Sequence, residues 1–207
     1  MLVSEVASRV KRQFGDEVGA QITDADIIRW VNDSQREIAV YNDLLQTVAT
    51  TAIVAGRDQY TLPPDVLTVR SVRLAGLKLS FLSQNETSNF ISTTTAGTPT
   101  HYSIWALKMD LFPTPTTADP DDIQIYYTRQ PAVVTAVTDT PELPLQYHNR
   151  IVEYCIAQAH ELDDDMQSYQ SKMEMFSTGI DKLRGIDAGE QDVYPSVSVG
   201  LDDGGFY

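Results

Sequence analysis

LQYHNRIVEYCIAQAHELDDDMQSYQSKMEMFSTGIDKL, residues 145–183, decides how the chain folds. Leu162, Met166, Tyr169, Met173, Phe176, Ile180 and Leu183 follow one another at alternating steps of four and three, and the stripe runs back through Cys155 to Ile151. That spacing predicts a long amphipathic helix. At 1.5 Å per residue an unbroken helix of this span would be roughly 55–60 Å long. Asp163-Asp164-Asp165 is the expected kink or break, because Asp is a poor residue for a helix interior.

Two further helices are expected upstream. Val3, Val6, Val10 and Phe14 share a face, and Gly15 ends the run. Thr23 can cap a second helix with Asp24 and Asp26 in its first turn, where the helix dipole favours negative charge. Its apolar stripe is Ile27, Val31, Ile38, Tyr41 and Leu45, broken by Ser34, with Trp30 beside it.

The period changes in the middle third. Segments 47–54, 60–62, 66–74, 77–81, 101–107, 109–112 and 123–128 are short and apolar-alternating or β-branched, and Gly and Pro turns separate them. They predict a small antiparallel sheet, sandwich or partial barrel. Ile123, Ile125 and Tyr127 face one way and Tyr126 the other. Residues 83–100 read as a short helix or loop, and 131–144 as a linker. The expected fold is α+β. A helical bundle (1–46 and 145–185) carries an inserted antiparallel β-domain with its linker (47–144), and an extended C-terminal arm (186–207) follows.

The arm is the stretch that one subunit's own core does not need. It holds no Lys or Arg. Val193, Val197, Val199 and Leu201 recur at even spacing, and Phe206 and Tyr207 follow two glycines. With Tyr194, these residues are the expected partner-binding set, adding as a strand to a neighbour's sheet edge or filling a groove.

Composition narrows the function classes. Hydrophobic residues at 42% permit a sizeable core. A net charge of −14 argues against a protein that grips phosphates or docks on anionic membranes. No segment is long and apolar enough to span a bilayer, and residues 1–14 lack the continuous apolar run of a signal peptide. Cys155 is the single cysteine, so no intramolecular disulfide is expected; on an apolar helix face it reads as a small buried residue.

The candidate chemistry is thin. His160, Glu161, Asp163, Asp164 and Asp165 are the densest set of potential metal ligands, but the spacing matches no strong metal motif, and a solvated face beside a helix break accounts for it. No nucleophile elbow and no Gly-rich phosphate loop is present, and neither catalytic nor cofactor-binding residues are nominated. Arg9, Lys11 and Arg12 form the one dense basic group, read as the wet face of the first helix. Trp30 and Trp105 are expected in a core or an interface.

Several of these stretches together resemble the head-to-tail adaptor (connector) proteins of tailed bacteriophages. They are Thr23-Asp24-Ala25-Asp26-Ile27-Ile28-Arg29-Trp30-Val31-Asn32, Tyr60-Thr61-Leu62-Pro63-Pro64-Asp65 and Gly97-Thr98-Pro99-Thr100-His101-Tyr102. Leu111-Phe112-Pro113-Thr114-Pro115 and Leu143-Pro144-Leu145-Gln146-Tyr147-His148 follow, the last leading into Ile151-Val152-Glu153-Tyr154 and Glu161-Leu162-Asp163. The resemblance implies a helical bundle with a β-domain and no enzymatic activity. It implies a homo-oligomeric ring, of about twelve copies, between the portal protein and the next tail or nozzle protein. DNA would pass through the lumen without specific binding, and the protein would be assembled in the host cytoplasm into the virion. A stopper or tail-completion protein is the alternative in the same particle. A small metal-dependent hydrolase using His160, Asp163 and Asp164 is the alternative from another class.

Overall fold

Residues 1–91, 96–116 and 122–191 are described by the computed structural model. Helix α1 (Val3–Phe14) ends at Gly15, whose φ of +92° is the left-handed cap that glycine adopts without strain. Helix α2 (Asp24–Tyr41) starts as its sequence demands. Thr23 Oγ1 accepts from the Asp26 backbone N–H at 3.2 Å, and the Asp26 carboxylate accepts from the Thr23 N–H at 3.2 Å. Ile27, Trp30, Val31, Ser34, Gln35, Ile38 and Ala39 form its buried face. Trp30 thus lies in the stripe rather than beside it, and Tyr41 is the member that faces outward.

Between these helices Asp16 organises the turn. Its carboxylate accepts the backbone N–H groups of Ala20, Gln21 and Ile22 at 2.8, 2.9 and 2.8 Å. These bonds, the Ile22 N–H foremost, hold the carboxyl below its ordinary range. Asp139 is lowered in the same way by the Thr135 and Ala136 N–H groups. A carboxyl that binds its proton more weakly in the folded state stabilises fully above the unfolded value near 3.9. That contribution disappears as pH falls through the folded value. The urea midpoint should therefore fall below about pH 4, and Asp16→Asn should flatten that acid limb while lowering the midpoint at neutral pH.

Among the described residues the middle of the chain forms eight strands and one short helix: β1 (Gln46–Thr51), β2 (Gln59–Thr61), β3 (Val66–Leu74), β4 (Leu77–Lys78), β5 (Ser80–Phe81), α3 (Gln84–Ile91), β6 (His101–Trp105), β7 (Lys108–Phe112) and β8 (Ile123–Arg129). They make two four-stranded sheets, in the orders β1-β8-β3-β4 and β2-β7-β6-β5. One core lies between them, with Tyr60, Val72, Met109, Leu111, Ile123 and Ile125 among its buried members. Along β8 the alternation places Ile123, Ile125 and Tyr127 inward and leaves Tyr126 half-exposed.

Three details depart from the sequence expectation. β5 and β6 pair in parallel, because α3 intervenes and returns the chain in the same direction. The β6–β7 hairpin turns at Ala106-Leu107, so β6 ends at Trp105, two residues earlier than the strand over 101–107 implied. Both turn residues have positive φ, +48° and +61°. Such two-residue turns favour Asn-Gly, and each non-glycine residue in this region costs about 1–2 kcal/mol.

The third departure is the largest. The stretch 145–183 is not one rod. After a 3-10 turn (Leu145–Tyr147), α4 (His148–Leu162) and α5 (Met166–Gln191) fold back on each other as an antiparallel hairpin. The corner is the Asp run. Asp164 has φ +58°, the Asp165 N–H donates to the His160 carbonyl at 2.9 Å, and the Asp165 carboxylate caps α5 through the Ser168 N–H at 3.1 Å. Opposite this corner, the Arg150 side chain of α4 lies against Gly179 of α5. Helix α5 also continues to Gln191, six residues into the segment expected to be an extended arm.

Helix α4 packs against α1, α2 and α5. The bundle core joins Val3, Val6 and Val10 to Ile27, Trp30, Ile38, Tyr147, Ile151, Cys155, Phe176 and Ile180. Val134 and Leu143 belong to it too, so the segment after β8 is built into the helices rather than hanging as a linker. Asn32 holds Val134 by paired bonds, Nδ2 to the carbonyl at 2.9 Å and Oδ1 from the N–H at 2.8 Å. The Val3 and Ser4 N–H groups, left over at the start of α1, donate to the Asp139 and Val137 carbonyls.

Candidate assembly surfaces

The residues that suggested chemistry from the sequence occupy structural posts. His160 Nδ1 lies 3.6 Å from Asp165 Oδ2 across the helix corner, and its ring meets Phe14 edge-on at 5.5 Å. Asp165 is spent on capping α5, and its carboxyl is lowered chiefly by the Ser168 hydroxyl and N–H. Among the described residues no group of three or more His, Cys, Asp or Glu gathers where a metal ion could be held. The Cys155 thiol is fully buried, and burial pushes its pKa up, which keeps it protonated and unreactive. His148 Nε2 donates to the Leu143 carbonyl at 2.8 Å, and burial holds the ring's pKa down.

The basic group on α1 is used at home. Lys11 Nζ pairs with Asp24 Oδ1 at 2.9 Å, and Arg9 Nη1 donates to Asn149 Oδ1 at 3.2 Å. These bonds tie α1 to α2 and to α4. The two tryptophans divide: Trp30 is buried in the bundle, whereas Trp105 is 66% exposed at the β6–β7 turn.

Exposed large apolar side chains are scattered over the described residues, Val18, Val133 and Leu145 among them, and two groups of them lie close together. Trp105 and Leu107 flank the strained turn, and Leu77 and Phe81 stand out near β4 and β5. On the bundle, Val40 and Tyr41 of α2 line a groove with Asp33, Arg36, Glu37 and Tyr154 of α4. Tyr41 is held by a hydrogen bond to Asp181 and by the Arg184 guanidinium 5.2 Å over its ring. Tyr154 is steadied edge-on against Phe176 at 5.2 Å. Burial, with the Glu37 and Asp33 carboxylates nearby, pushes the Tyr154 hydroxyl up to about 12. Sequence reasoning missed the hairpin tip and this groove. The missing signal was in the turn, since Ala-Leu is not a turn dipeptide by composition.

The seven residues expected to bind a partner, Val193, Tyr194, Val197, Val199, Leu201, Phe206 and Tyr207, lie outside the described residues. Among the described residues no helix is long and apolar enough to cross a membrane.

A helical bundle carries an inserted two-sheet β-domain. Its titratable clusters cap helices and pin elements together, while its apolar side chains are displayed on turns and grooves. These features describe a subunit whose titratable groups, among the described residues, serve its own fold; the class it belongs to, the bacteriophage head-tail adaptors, is given by the family match. The family model described as SU10 adaptor protein matches residues 1–200, and the chain belongs to that family. It is a structural head-tail adaptor of the virion, as the ordered motifs had suggested. No curated protein matches the chain.

Proposed function

We propose that the protein forms a ring, of about twelve copies, that joins the capsid portal to the next tail or nozzle protein and continues the DNA channel. The adaptor-family match over residues 1–200 carries this reading. The surface chemistry supports it: ring subunits need exposed faces for unlike neighbours, and heterologous contacts close into a ring when the rotation fits. The subunit acts without catalysis, and assembly takes place in the host cytoplasm.

The acidic balance suits a passage for DNA. A net charge of −14 per subunit, repeated around a ring, repels phosphates at short range and leaves a passing duplex without a binding site. Residues 186–207 contribute Asp187, Glu190, Asp192, Asp202 and Asp203 with no cation to offset them. In this reading the segment after Gln191 is the tether to the portal. Val193, Val197, Val199 and Leu201 add along a sheet edge or groove, Tyr194 packs beside them, and Phe206 and Tyr207 are end anchors.

Mass measurement of the full chain, alone and mixed with portal rings, tests the proposal. The expected result is a closed ring bound coaxially to the portal. A species that stays monomeric and unbound at every ratio overturns it, and so does a resolved lumen lined mainly by Lys and Arg.

A further inference from the structure

We propose that the β6–β7 turn of one copy inserts Trp105 and Leu107 into the groove between α2 and α4 of a second copy, as the head-to-tail contact between neighbours. The inference rests on the ring reading above and names the residues that would build its interface.

The first half of the contact is a projecting knob. β6 ends at Trp105 and β7 begins at Lys108, and these two residues are paired across the Ala106-Leu107 turn. Both turn residues sit at positive φ, and neither is glycine. Backbone strain of this kind is kept at sites where it is used. Here it presents Trp105 at 66% and Leu107 at 58% exposure, with Lys108 the strand residue paired to Trp105. Two large apolar side chains in water on a strained turn stabilise nothing within the subunit. Exposed Trp is the residue type that most often anchors protein contacts.

The second half is a receptor with the opposite character. The groove of about 430 Å³ is lined by Asp33, Arg36, Glu37, Val40, Tyr41 and Tyr154. Its apolar floor, Val40, Tyr41 and Tyr154, is held rigid by the Tyr41–Asp181 bond, the Arg184 guanidinium and the Phe176 ring. Its rim carries the Asp33 and Glu37 carboxylates and the Arg36 guanidinium, a net negative set in which none has an ion pair among the described residues. Lys108 on the knob supplies the complementary charge. Its Nζ donates to Gln59 Oε1 at 3.1 Å, which sets the cation on the β2 side of the hairpin, where Gln59 also bonds Asp110.

Knob and groove are both exposed on the same subunit, so neither is filled by the other within one chain. Matching them therefore requires two copies. Two unlike patches make a heterologous contact, the type that repeats around a ring instead of stopping at a dimer. A groove on the bundle and a knob on the β-domain also place the two layers of neighbouring subunits in register.

Cross-linking of full-length variants tests this. Val40→Cys and Leu107→Cys place thiols on the two surfaces, and the native Cys155 is buried away from both. Oxidising an equimolar mixture of the two single variants, with portal rings present, should give a disulfide-linked dimer that neither variant gives alone. The double variant should give a ladder of dimers, trimers and higher species. Trp105→Ala, at an exposed position, should leave the circular dichroism spectrum intact and raise the concentration for half-assembly by about tenfold or more. Lys108→Glu should impair assembly similarly, and Glu37→Lys should restore it. Rings of normal mass without a cross-link, with Trp105→Ala assembling at the wild-type concentration, overturn this contact and leave the ring reading standing. A monomer under every condition, portal included, overturns the ring reading and this contact with it.

Discussion

Phe176→Ala is expected to destabilise the protein by about 3–5 kcal/mol, the range for removing a buried aromatic ring from a core. Phe176 is 1% exposed and projects from α5 into the bundle core. Its ring meets Tyr154 of α4 edge-on at 5.2 Å, and Ile180, one turn further on, is the other deeply buried large apolar side chain of α5 among the described residues. With so few buried apolar groups securing that helix, the ring's contribution is concentrated and the cavity has little to fill it. Loss of the ring should weaken the α4–α5 hairpin first, because the Asp163–Asp165 corner by itself supplies only capping bonds. Met175→Ala, at a half-exposed neighbouring position, should change stability by less than about 0.5 kcal/mol. Urea midpoints followed by circular dichroism measure both. A loss below about 1 kcal/mol for Phe176→Ala would show that α5 is held by something other than this ring.

Deleting Asp192–Tyr207 is expected to leave the thermal midpoint within a degree or two of the intact protein while reducing portal binding by about a hundredfold, close to 2.7 kcal/mol. The cut is placed after Gln191 because α5 runs to that residue, and an earlier cut would remove helix as well as arm. No residue of either described core lies beyond Ile180, and the outermost packed residue of the bundle is Leu183. All members of the two described cores are therefore retained in the deletion. What the deletion removes is the alternating Val193, Val197, Val199 and Leu201 with Tyr194, Phe206 and Tyr207. Strand addition or groove filling by such a segment supplies both main-chain bonds and apolar burial to a complex. Cosedimentation with portal rings and scanning calorimetry on the same preparation separate the two effects. Portal binding by the truncated protein at the affinity of the intact one would remove the tether from the proposed function.

Much of the helical part was legible because periodicity is a local property. Val3-Val6-Val10 and Ile27-Val31-Ile38 announce buried faces, and Thr23 with Asp26 announces a helix start, through spacing and capping chemistry alone. The strand of nine residues over Val66–Leu74 was legible for the same reason. Period-2 alternation likewise placed Ile123, Ile125 and Tyr127 inward. The family followed from five short motifs in order, none of which needed a contact to be read. The assembly surfaces were not legible. Trp105 and Val40 look like any other apolar residues in a strand and a helix until burial is known. Exposure depends on what the rest of the chain covers.

The sequence by itself determined the class of fold, the helix starts, the position of the break at Asp163–Asp165 and the family. Each rests on interactions between residues a few positions apart. Only the tertiary structure decided that the break reverses the chain. The stripe of apolar residues on either side of the Asp run is equally compatible with one long rod and with a hairpin. The choice is made by the core that Phe176 and Ile180 complete with α4 and the N-terminal helices. The same long-range packing pulled the segment after β8 into the bundle, paired β5 with β6 in parallel, and left one tryptophan in the core and the other in water. Local periodicity says which side of an element avoids water. Which other element covers that side depends on contacts between residues distant along the chain, and these form only when the whole chain is packed.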